Sequence, residues 1–144
     1  MTAILLTHPD CLIHEMPRHP ERPDRLRSVL ATLNERGLSG DMNQGLASEI
    51  SLDLIEQVHP RSYIDDVLAF EPIDGVAKFE PDTYMNNGSS RAARLSAGAV
   101  AEATSRVLAG ESHGAFGAII HPGHHAGSVA GVGVCDVTKV GMGV

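Results

Sequence analysis

At 144 residues the chain has the length of one ordinary domain, or of a piece of a larger one, and is long enough to bury a core. With 11 Lys and Arg against 18 Asp and Glu its formal net charge is -7, which removes any general electrostatic reason to approach nucleic acid or an anionic membrane; 3 Phe, 2 Tyr and no Trp leave little surface for stacking on single-stranded bases. Cys11 and Cys135 are far apart, and Met1 to Asp10 carry neither a basic flank nor a long apolar run, so a reduced, cytoplasmic location is expected, with neither nucleic acid nor membrane as partner.

Ile4-Leu5-Leu6, followed closely by Pro9, predicts a buried first strand. In PRHPERPDRLRSVLATLNERG, residues 17–37, Pro23 suits a first helical turn. Leu26, Val29, Leu30 and Leu33 share one face there, and Gly37 can close the helix. Asp41 to Gly45 is expected as a loop. Leu52 to Val58 and Ser62 to Phe70 are expected as two short helices parted by His59-Pro60, and residues 71–88 as a long loop punctuated by Pro72, Gly75, Pro81 and Gly88. Ser89 or Ser90 can cap a long Ala-rich helix whose inward stripe runs Ala93, Ala97, Val100, Thr104 and Val107, with Gly110 to end it.

Ala115 to Ile120 predicts a second buried strand. Strand, several helices, strand, with apolar rather than alternating strands, points to an α/β fold in which a parallel sheet is covered by helices. Ligand sites in such sheets collect past the carboxyl ends of the strands, where His121, His124 and His125 fall. As residues alone these histidines have three readings. They are exposed or internally bonded loop imidazoles; metal donors, although neighbours along a loop seldom both ligate one ion; or an acid-base pair. Spacing leaves the three open. Gly131-Val132-Gly133 completes no dinucleotide fingerprint, Asp65-Asp66 fits a solvated helix face, and Tyr63 and Tyr84 fit packing or surface positions.

Four motifs taken together carry a resemblance. RHPERPDRLRSVL, VHPRSYIDDV, DTYMNNGSSRAARLSAGAV and PGHHA occur in the order found in the histone deacetylase superfamily, which includes bacterial deacetylase-like proteins, acetylpolyamine amidohydrolases and acetoin-utilization proteins. The chain resembles that group over residues 1–135. The resemblance implies an arginase/deacetylase α/β fold, a parallel sheet flanked by helices, incomplete in this chain. It also implies one Zn²⁺ that activates water against the carbonyl of an acetylated lysine or polyamine. By motif, His125 matches the general base and His124 its electrostatic partner, neither binding the metal. Arg25 matches an arginine of the inner channel, with a helix-surface cation as its other reading. Gly133 and Cys135 match the segment lining the substrate tunnel.

The departures are specific. Ile120-His121-Pro122-Gly123 stands where the family usually has Arg-Pro-Pro-Gly, Val134 replaces the tunnel aromatic, and DVTKVGMGV, residues 136–144, diverges from the Phe-Asn-Asn stretch. In the family the metal-binding aspartates and histidine and the transition-state tyrosine lie downstream of the tandem histidines; beyond His125 this sequence holds the carboxylate of Asp136 and neither His nor Tyr. The expectation is therefore a deacetylase-like segment, 1–135, truncated before the metal ligands, with a divergent tail, 136–144. It is expected to bind no zinc and to be inactive as this chain, the alternative being a non-catalytic interaction module or gene remnant. An exposed sheet edge would favour homo-oligomers.

Overall fold

The computed structural model describes residues 2–81, 83–120, 123, 126 and 127. Strand β1 (Ile4–Thr7) leads into a 3₁₀ turn (Pro9–Leu12), helix α1 (Pro23–Glu35), strand β2 (Asn43–Leu46) and helices α2 (Leu52–Ile55) and α3 (Arg61–Phe70). Strands β3 (Val76–Glu80) and β4 (Thr83–Asn86), helix α4 (Ser89–Leu108) and strand β5 (Ala115–Ala118) follow.

The sheet order is β2-β1-β5 with both pairings parallel; Ile4 lies opposite Asn43 on one side and Ala115 on the other. Because successive strand side chains alternate in direction, β1 can bury both its faces. Leu5 packs in a cluster with Leu26 of α1 and Ala92, Ala93 and Leu95 of α4, while Ile4 and Leu6 pack with Ala47 and Ala99. Such a strand must read as an unbroken apolar run. Helix α1 begins as its sequence predicts, with Pro23 in its first turn and Gly37, at φ 72°, just past its end.

Four expectations are corrected. Asp41 to Gly45 is not all loop, since Asn43–Leu46 forms β2; its residues are exposed or half-buried and its order comes from backbone pairing with β1. Residues 71–88 are likewise not a single loop, because β3 and β4 pair antiparallel, with an irregularity between Lys78 and Glu80. Met85 and Thr83 are buried there, on one face of a short strand that its neighbouring Pro and Gly bracket rather than break. The core-facing surface of α4 is also different from the predicted stripe. Burial concentrates in its first half, Ser89 to Ala99, and Val100, Thr104 and Val107 are only partly covered.

The start of α4 differs too. Gly88, at φ 97°, occupies the cap position, and neither Ser89 nor Ser90 caps with its side chain. Glu71 does so from outside, its Oε1 accepting from Gly88 N at 2.8 Å and its Oε2 from Ser90 N at 2.7 Å. Further along, Gly98 lets the backbone of residues 48–50 lie against the helix, since a Cβ there would stand 1.8 Å from Ser48 O. No helix among the described residues is long and apolar enough to cross a membrane.

Candidate active site at the end of strand β5

Thr7 and Ala118 close the carboxyl ends of β1 and β5 in register, tied by Thr7 Oγ1 donating to Ala118 O at 2.6 Å. Just beyond, Arg25 reaches from the first turns of α1 to the outgoing chain. Its Nη2 donates to Ile119 O at 3.1 Å and Ile120 O at 2.8 Å, and its Nε lies 2.8 Å from Glu21 Oε2. A strand end offers carbonyls with no ladder partner, and a guanidinium satisfies two at once. The Ile120 amide in turn donates to the buried Ser96 Oγ at 3.4 Å, so strand end, α1 and α4 are joined at one point.

From there the chain enters Gly123, buried and at φ 87°, a backbone conformation that glycine adopts without strain. Ala126 N donates to Gly123 O at 3.2 Å, and Ala126 packs against Met16, as Tyr84 also does. His121, His124, His125, Gly133 and Cys135 lie outside the described residues. Of the predicted site residues, Arg25 is thus the one described, at the carboxyl edge of the sheet and on the segment that leads to the histidine pair.

Sequence reasoning missed a polar network beside this edge. His14 is buried and its Nδ1 lies 2.8 Å from Ser89 Oγ. Asn86 Nδ2 donates to Ile13 O, which fixes the amide and leaves Asn86 Oδ1 as an acceptor for the Ser89 hydroxyl at 2.7 Å. That hydroxyl also accepts from Asn86 N at 2.8 Å, and its one proton is committed, so His14 must donate from Nδ1. The pairing spans 75 residues of sequence, and no local pattern announces it.

Among the described residues no three of His, Cys, Asp and Glu converge to hold a metal ion. Glu71 is partly buried, which pushes its carboxyl up; the hydrogen bonds from Gly88 and Ser90 outweigh that and hold it below the ordinary glutamate range.

Residues 19–144 match the family model described as the histone deacetylase domain. The chain belongs to the histone deacetylase family. It is 36% identical over 132 residues to histone deacetylase 15 of Arabidopsis thaliana, covering 91% of this chain and 24% of that protein. It is 31% identical over 145 residues to a probable deacetylase of Archaeoglobus fulgidus, covering 99% and 40%. The histone deacetylase-like amidohydrolase of Pseudomonas aeruginosa is 29% identical over 126 residues, covering 88% and 33%. The crystal structure of the HDA15 HD domain superposes with a TM-score of 0.91 at 31% identity, covering 99% of this chain and 42% of that one. The α/β arginase/deacetylase-like fold expected from the motifs is therefore the fold found. The chain spans less than half the length of these relatives.

Proposed function

We propose that this chain supplies the acid-base part of a zinc-dependent deacetylase site acting on an acetylated lysine or polyamine. His125 serves as general base, His124 as its electrostatic partner, and Gly133 and Cys135 belong to the tunnel wall. The observation that supports this most is the Arg25 clamp. It fixes the carbonyls of Ile119 and Ile120 at the carboxyl end of a parallel strand, immediately ahead of the tandem histidines. On this reading Arg25 is a positioning residue. A bound zinc ion would polarise the acetyl carbonyl and its attacking water. The residues of this chain would orient the amide, take the water's proton at the His125 ring and return a proton to the leaving amine. A cytoplasmic location accords with this chemistry and with two widely separated cysteines.

The same reading has the 144 residues alone, without the family's downstream ligands, unable to hydrolyse an acetyl-amide even with added Zn²⁺. Acetate release from acetyl-lysine peptide and acetylspermidine tests this, and zinc-dependent turnover abolished by His125→Ala would refute it. Its positive half is tested by a chimera in which residues 1–127 replace the matching part of an active deacetylase. The chimera should turn over, and His125→Ala should lower its rate by at least on the order of 10²-fold. A folded chimera without activity would overturn the assignment.

A second reading, an interaction module completed by a partner or a second copy, is favoured by one observation. Among the described residues the outer edge of β5 is unpaired, and beside it a groove of about 390 Å³ is lined by Val100, Val107, Leu108 and Ala115, with Leu108 and Phe116 exposed. Light scattering distinguishes the two: self-association weakened by Phe116→Lys supports the module, and a monomer at all concentrations opposes it.

A further inference from the structure

Met16, Pro17, Arg18 and His19 form a turn closed by His19 N donating to Met16 O at 3.1 Å. Proline at the second position and a positive φ at the third are the marks of a type II turn, whose third position calls for glycine. Here it holds Arg18 at φ 61°, the one positive-φ residue other than glycine among those described. A side chain kept against the preference of its own backbone invites a functional explanation. Arg18 borders a cleft of about 410 Å³ between this turn and the β3–β4 hairpin, whose other walls include Met16, Val76 and Tyr84. Lys78 Nζ stands over the Tyr84 ring, 5.9 Å from its centroid.

The charges there are unbalanced. Among the described residues Arg22, Arg25, Arg27, Arg61, Arg91, Arg94 and Arg106 each pair with a carboxylate, whereas Arg36, Arg18 on the cleft wall and Lys78 over the Tyr84 ring do not. Glu15 borders an adjoining cleft with Arg22 and Arg27 that shares Met16 and Pro17, and Arg18 also borders a cleft with Asp24. The cleft is also close to the proposed chemistry, because its wall residue Met16 packs against Ala126, the residue directly after His125. In a chain of net charge -7, an unpaired arginine on the cleft and an unpaired lysine over one of its wall residues favour an anion there.

We infer that this cleft receives a carboxylate flanking the acetylated amine of the substrate, with Arg18 as the main contact and Lys78 as the second. The inference rests on the deacetylase reading and narrows it: an acetyl-lysine peptide with acidic neighbours fits, and an acetylated polyamine, cationic along its length, does not.

The 144-residue chain can be titrated by NMR with short acetyl-lysine peptides that differ only in carrying Glu, Gln or Lys beside the acetylated residue, with the unacetylated Glu peptide, and with acetylspermidine. The Glu peptide should bind about fivefold more tightly than the Gln peptide at low salt, and the Lys peptide and acetylspermidine more weakly than either. Arg18→Gly should level the series while raising the melting temperature, because glycine suits the turn. Equal binding of the Glu and Gln peptides, a preference that survives in Arg18→Gly, or no binding by any peptide would overturn the inference. A Glu preference indifferent to acetylation would support the carboxylate cleft and remove the deacetylase reading. Acetyl-dependent binding indifferent to charge would do the reverse.

Discussion

Helix α4 begins at a glycine with no side chain to offer, and Glu71 fills the role from 17 residues upstream. Replacing Glu71 with alanine removes both acceptors and the negative charge facing the helix start. A lost side-chain cap costs about 0.5–2 kcal/mol and a terminal charge about 0.3–1 kcal/mol. Glu71 is only partly covered, so solvent screening puts the sum near the lower half, about 1–2 kcal/mol. In a chain of this size that is roughly a 3–8 °C fall in melting temperature. Glu71→Gln keeps one acceptor and should fall between. Because the folded-state carboxyl is held below its usual value, its contribution is complete above about pH 4.5 and is lost as pH falls further through the lowered value. Urea unfolding of wild type and Glu71→Gln at neutral pH and again near pH 3 is the assay. Their difference should shrink at the acid end. A difference independent of pH, or an alanine variant as stable as wild type, would refute the role of Glu71 as the cap.

Gly98→Ala places a Cβ 1.8 Å from Ser48 O, a clash that backbone must relieve; we expect a loss of at least about 2 kcal/mol in urea unfolding. Arg25→Ala leaves the carbonyls of Ile119 and Ile120 without their donor and should cost about 1–3 kcal/mol, with faster amide exchange at Ile120 as the local readout. Ser89→Ala strips the donor and acceptor shared by His14 and Asn86, and a similar loss of about 1–3 kcal/mol should appear as a lower denaturation midpoint.

What the sequence makes legible follows from where each element draws its order. Ile4-Leu5-Leu6 announces β1 because both faces of that strand are buried, and Pro23 and Gly37 bracket α1 because helix ends select residues locally. Strand β2 is silent, since Asn43 and Gln44 are exposed and the strand is held by pairing with β1. The β3–β4 hairpin hides among turn residues that delimit it. At the site, the motif points to Arg25, yet its partners are backbone carbonyls 94 and 95 residues away, which leave no trace in residue identity. Arg18 was legible as part of a motif; only its backbone conformation and the missing counter-charge mark it out.

The middle strand of the sheet has consequences for the order of assembly. Strand β1 can meet β2 once the chain has grown to Leu46, but its other neighbour, β5, lies 111 residues away in register. At about 5–20 residues per second, the roughly 70 residues between β2 and β5 take about 3–14 s to synthesise. Through that interval Leu5 lacks Ala118 and Ile120 from its cluster, and the apolar first strand is half-paired while α4 is still being extended. Aggregation during synthesis, more than the stability of the finished fold, is where such a topology is exposed.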